Sequence, residues 1–219
     1  MQHAVADQED VLGRALGDIA FGVEHQRLVE ARLDRGIQRQ HRVDVVAVGL
    51  GWGKKEKKGF FGGMKKVGVD LDASCIMYDN NRNALDTVWF GNLKSSDGSV
   101  VHTGDDVVGG GDEQDPNEVI NVDLNRVPAN VKSIVFVVNS YSGETFEGVP
   151  FAFCNVVDNS NGSEMARYNL QTDGRDYKGF VISKIERVNE GWIFNAIGEK
   201  CTGRQKTVED IEPQAKQYA

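Results

Sequence analysis

Gly68-Val69-Asp70-Leu71-Asp72-Ala73-Ser74-Cys75-Ile76-Met77-Tyr78 alternates apolar and polar residues with a period of two. Successive side chains of an extended chain point to opposite faces. As a strand from Val67 to Tyr78, this stretch sends Val67, Val69, Leu71, Ala73, Cys75 and Met77 toward a core. Asp70, Asp72 and Ser74 then share the other face, with the two acids roughly 7 Å apart at about 3.3 Å of rise per residue.

Working outward, the same short alternating runs recur between clusters of Gly, Asn, Asp and Ser. They predict further strands over Val43 to Leu50, Ala84 to Phe90, Glu118 to Leu124, Ser133 to Asn139, Phe151 to Asp158, Glu164 to Leu170, Gly179 to Arg187 and Gly191 to Glu199. Asn80-Asn81-Arg82-Asn83, Asn159 to Ser163 and Asn189-Glu190-Gly191 supply residues that tolerate the positive φ of hairpin turns. Ser133 to Val138 is continuously apolar, as in a strand covered on both faces. A short helix is expected over Thr207 to Gln217, limited by Pro213. The fold class is therefore all-β, a two-sheet antiparallel β-sandwich with a short C-terminal helix. Its boundaries are residues 43–206 for the sandwich and 207–219 for the helix and tail.

Residues 1–42 differ in composition, with six Arg and no Lys against six Arg and 13 Lys in the remainder. Gly13, Gly17, Gly22 and Gly36 interrupt a loose helical spacing of apolar residues, each at a cost of about 1 kcal/mol in a helix interior. This stretch reads as an atypical N-terminal extension, weakly helical or disordered.

The chain has 219 residues, enough for a core without disulfide staples, and its three cysteines show no C-x-x-C pairing. No run approaches the roughly 20 apolar residues of a membrane span, and no basic-then-apolar leader opens the sequence. A cytoplasmic location is expected, without membrane insertion. The net charge of −8 argues against nucleic-acid binding. Between Ser95 and Asn125 there are eight acids and no Lys or Arg; removing them leaves 25 acids against 25 bases, so the whole excess lies in one window. Six of the eight fall between Asp105 and Glu118, beside Gly109, Gly110 and Gly111.

Carboxylates gathered without basic neighbours fold together favourably only around a cation. The donors here are oxygens: acids, Asn117, and glycine carbonyls that allow close approach. Calcium takes six to eight such ligands in flexible geometry, whereas zinc or copper wants His or Cys, and His102 is the one local candidate. The spacing after Asp70 is not that of an EF-hand, which needs Gly at its sixth position and Glu at its twelfth.

Several motifs in order then carry a resemblance. Asp-Leu-Asp-Ala-Ser-Cys from Asp70, Asp-Thr-Val-Trp-Phe from Asp86, Val-Val-His-Thr-Gly-Asp from Val100 and Glu-Val-Ile-Asn-Val-Asp-Leu from Glu118 are followed by Arg-Val-Pro-Ala-Asn-Val from Arg126. Val-Asn-Ser-Tyr-Ser-Gly-Glu-Thr-Phe from Val138, Ala-Arg-Tyr-Asn-Leu from Ala166 and Ala-Ile-Gly-Glu near the end complete the set. Together they resemble the tellurium-resistance TerD family from about Val48 to Arg204. The resemblance implies a calcium-binding β-sandwich, a cytoplasmic stress protein acting in a tellurium- and stress-resistance complex whose other proteins lie near the membrane. It also implies one or two Ca2+ ions held by Asp70, Asp72 and Asp105 with the loop acids Asp106, Asp112, Asp115 and Glu118. The loop is about two residues longer than the family pattern, which shifts the register of Asp112, Asp115 and Glu118, and Asp106 replaces the customary Asn. The first 42 residues depart from the family start and are expected to be an altered or disposable extension.

Other residues have plainer readings. Lys54, Lys55, Lys57 and Lys58 form a basic connector, His102 a structural hydrogen-bonding residue, and Trp89 and Trp192 anchors of the core or its rim. An enzyme is not expected, because metal-bound carboxylates stay ionised and no nucleophile motif is present. The rival readings are a binder of small ligands such as cyclic nucleotides, for which no phosphate loop opens a helix, and a metal-dependent hydrolase.

Overall fold

A computed structural model describes residues 44–58, 62–173, 176–189, 191–202 and 206–219. The expectation for residues 1–42 lies outside them. Two five-stranded antiparallel sheets face each other. The first has the order β10 (Ser163–Asn169), β9 (Ala152–Asp158), β1 (Val45–Trp52), β7 (Glu118–Asp123) and β6 (Val100–His102). The second runs β12 (Gly191–Lys200), β11 (Gly179–Val188), β8 (Ser133–Ser140), β4 (Leu71–Tyr78) and β5 (Ala84–Val88). A separate two-stranded ribbon joins β2 (Lys55–Lys58) to β3 (Met64–Val67). Helices are short: α1 (Leu170–Asp173) and α2 (Val208–Ala215).

Alternation fills the space between the sheets. Val46, Val48, Leu50 and Trp52 of β1 meet Leu71, Ala73, Cys75 and Met77 of β4 there, with Ile134, Phe136 and Val138 of β8. The sequence reading placed Asp70, Asp72 and Ser74 on the opposite face of β4, and the structure covers that face as well. Asp72 and Ser74 are buried there, and Ile76 and Tyr78 join Val135, Val137 and Val181 in a second apolar layer closed by Val208, Ile211 and Ala215 of α2. This explains the unbroken apolar run of β8, which has a core on each side. Pro213 lies inside α2.

Three strands were not expected. The lysine-rich connector is the ribbon β2–β3, and β6 spans only three residues. Cys75, Cys154 and Cys201 are free and buried, and burial pushes the first two thiols up to about 12, far from nucleophilic character. No helix among the described residues is long and apolar enough to cross a membrane.

Candidate metal centre

The site grows from a mismatch in strand length. β8 pairs with β4 from Leu71 onward, but β5 reaches β4 only at Cys75, so the edge of Ala73 facing away from β8 has no strand beside it. Side chains of the other sheet take its place. Glu118, opening β7, accepts the Ala73 N–H at 2.9 Å, and His102, closing β6, sets Nε2 3.2 Å from the Ala73 carbonyl. Gly104 N–H donates to His102 Nδ1 at 3.1 Å, which leaves the ring proton on Nε2, 3.3 Å from Glu118 Oε2. Both side chains are fully enclosed. Glu118 Oε1 accepts the Asp106 N–H at 3.1 Å, so one carboxylate ties β4, β6 and the acidic loop together.

The loop is wound by its own polar groups. Asp106 accepts the N–H groups of Val108 and Gly109 at 3.0 Å and the Asn117 amide at 2.8 Å. Burial opposes ionisation of Asp106, but these bonds and the nearby Lys54 charge hold its carboxyl below the usual range. Asn117 also donates to the Gly110 carbonyl, and its own oxygen accepts the Trp52 N–H, each at 2.8 Å. That amide oxygen, read from sequence as a possible ion ligand, is thus engaged by the backbone. Gly109 has φ 67°, and a Cβ there would overlap the Trp52 indole, which is itself pinned by its Nε1–H to the Val69 carbonyl at 2.7 Å.

Within this frame Asp70, Asp72 and Asp105 converge, with ligand oxygens all within 4.8 Å of one another. Asp72 is buried, Asp70 half-buried and Asp105 exposed, so the group opens to solvent on one side. Among the described residues no Lys or Arg pairs with any of the three. Burial, then the charges of Glu118, Asp70 and Asp105, pushes Asp72 up to about 8 despite a hydrogen bond from Asn139. Burial and the neighbouring Asp105, Glu118 and Asp106 push Asp70 up to about 6. The Asn139 amide donates to Asp72 at 2.7 Å and to the Lys206 carbonyl at 2.8 Å, while its Oδ1 is buried without a partner among the described residues.

Four more acids were expected here. Asp106 and Glu118 border the group but spend their oxygens on protein donors. Asp112 and Asp115 lie on the exposed arm of the loop, where Asp112 accepts the Gln114 N–H at 3.0 Å, and neither belongs to the three-carboxylate group. Asn139 was missed: it lies in a polar run, Asn139 to Thr145, but its partner Asp72 is 67 residues away and nothing local names it. The donor set is oxygen throughout, the choice of a hard divalent cation.

Comparison with known proteins agrees with the fold and the motifs. The TerD domain profile matches residues 34–210. Tellurium resistance protein TerZ of Serratia marcescens is 47% identical over 165 residues, covering 74% of this chain and 82% of TerZ. Stress response protein SCP2 of Bacillus subtilis (strain 168) is 39% identical over 162 residues, covering 69% of this chain and 80% of SCP2. A crystal structure of SCO6318, a homologue of telluride resistance protein TerD from Streptomyces coelicolor, superposes with a TM-score of 0.62 at 16% identity. It covers 74% of this chain and 92% of that one, a likeness of fold.

Proposed function

The chain belongs to the TerD domain family of tellurium-resistance and stress-response proteins, and from that premise we propose that it is a calcium-dependent interaction module rather than an enzyme. The observation that carries the reading is the meeting of Asp70, Asp72 and Asp105 within 4.8 Å with no cationic side chain paired to them among the described residues. Three carboxylates so placed repel strongly where water is partly excluded. A bound Ca2+ supplies the missing charge, keeps the acids ionised at neutral pH and favours one loop arrangement.

In this reading Asp70, Asp72 and Asp105 are the ligands that hold the ion. Glu118, Asp106 and Asn117 shape the loop around it, and Asp112 and Asp115 lie where a second ion or a partner would meet the surface. Binding stabilises the folded state by mass action, so the ion level sets how often the ordered loop is presented to other proteins of a resistance complex in the cytoplasm. TerZ and TerD are named for tellurium resistance and SCP2 for the stress response, and the same cellular role is proposed for this chain.

The test is affinity capture from a cell extract, in calcium and in chelator, using wild type and Asp105→Ala. Partners retained only by wild type in calcium support the reading. Identical capture under all four conditions removes it.

A further inference from the structure

The ribbon β2–β3 stands outside both large sheets and carries a charge balance opposite to that of the chain. Residues 54–67 hold six of the 13 lysines against one acid, Glu56, in a protein of net charge −8. Register sets Lys57 directly opposite Lys65, Lys58 opposite Met64, and Glu56 opposite Lys66. Like charges directly opposite each other weaken a ribbon. Glu144 offsets one side, with Lys57 Nζ at 2.8 Å and Lys55 Nζ at 3.7 Å. Lys58, Lys65 and Lys66 have no ion-pair partner among the described residues.

Residues paired across the ribbon share a face, so Lys58, Lys66 and Met64, with Glu56, lie on the side away from Lys57 and Lys65. Met64 is 66% exposed, more than any other large apolar residue described. The acidic loop lies against the foot of the ribbon: Gly110 N–H donates to the Trp52 carbonyl at 2.9 Å, and a Cβ on Gly68 would come within 3.1 Å of the Val108 carbonyl. Val107 and Val108 of that loop, 56% and 44% exposed, add apolar surface at this end.

Unpaired ammonium groups around bare apolar side chains suit an anionic lipid interface. Phosphates meet the lysines while the thioether and valines enter the boundary with the acyl chains. A nucleic acid would offer countercharge but nothing for Met64, and residues 54–67 include no arginine to read base edges.

We propose that this end of the molecule docks on anionic bilayers at headgroup depth through Lys58, Lys66 and Met64. The docking stands on the ribbon. Its calcium dependence rests on the metal reading above, since the uncompensated acidic loop beside the ribbon is repelled by the same lipids.

Co-sedimentation with vesicles tests this, using phosphatidylcholine alone or with about 30% phosphatidylglycerol, in calcium or chelator, at low and high salt. Retention is expected on the anionic vesicles, strongest in calcium and lost at high salt. Lys58→Gln with Lys66→Gln lowers partitioning by about 25-fold, about fivefold per lysine, with no change in melting temperature; Met64→Ser weakens it at low salt. Equal retention on neutral vesicles, unchanged binding by the double variant, or tighter binding to duplex DNA at the same salt overturns the proposal. Calcium binding in a vesicle-free calorimetric titration, with no retention on any vesicle, overturns the docking and leaves the metal reading standing.

Discussion

Asn139 holds the Asp72 carboxylate at 2.7 Å from the strand position directly opposite it, although the two residues are 67 apart in sequence. The bond partly counters the burial and the neighbouring negative charges that raise Asp72, and it couples the acidic group to the C-terminal segment through the Lys206 carbonyl. Asn139→Ala should therefore leave the buried Asp72 carboxyl, and the Lys206 carbonyl, without this donor. The expected cost in chelator is about 1–3 kcal/mol, with weaker calcium binding by calorimetry. A variant as stable as wild type would show that the amide is dispensable.

Stability of the metal-free protein should fall as pH rises. An aspartate of the unfolded chain titrates near 3.8, whereas Asp70 and Asp72 are raised to about 6 and about 8 in the fold. The native state thus keeps protons that the unfolded chain has released, so their contribution is full below about pH 4 and is lost as pH climbs through the folded values. Melting temperatures in chelator should decline from pH 5 to pH 8, and saturating calcium should flatten that decline. A chelated protein that gains stability over the same range would contradict the assignment.

Gly109→Ala should loosen the acidic loop without unfolding the sandwich. Its φ of 67° and the indole of Trp52 leave no room for a methyl group. A destabilisation of at least about 1 kcal/mol is expected, together with reduced calcium affinity. Unchanged affinity would mean that the loop path does not matter to the ion.

The alternation from Val69 to Met77 made the core face of β4 readable because a buried strand face is written locally, two residues at a time. The cover on the opposite face was not readable, because it comes from Val208, Ile211 and Ala215 more than 100 residues later. Asp70 and Asp72 stood out by their spacing and Asp105 through the family motif, but the polar run from Asn139 gave no sign that its first residue meets Asp72, 67 residues earlier. The ribbon β2–β3 escaped notice because opposed lysines lack the alternation of a half-buried strand. Of the loop acids, sequence gave the presence of Asp106 and Glu118 but not their engagement with backbone N–H groups, which depends on how the chain turns.

The helix α2 should be integral to stability. Ile211 is fully buried against the outer face of the second sheet, and Ile211→Ala should cost about 2–5 kcal/mol in urea denaturation. A loss below about 0.5 kcal/mol, within the range of ordinary surface changes, would show that the helix is only loosely docked.

The most direct measurement is the melting temperature of wild type and of Asp70→Ala with Asp72→Ala at pH 8, each in chelator and in saturating calcium. Wild type should melt markedly higher in calcium. The double variant should melt at one temperature in both, and in chelator above wild type, because the repulsion has been removed. A calcium-induced rise of equal size in both proteins would contradict the claim that these carboxylates hold the ion.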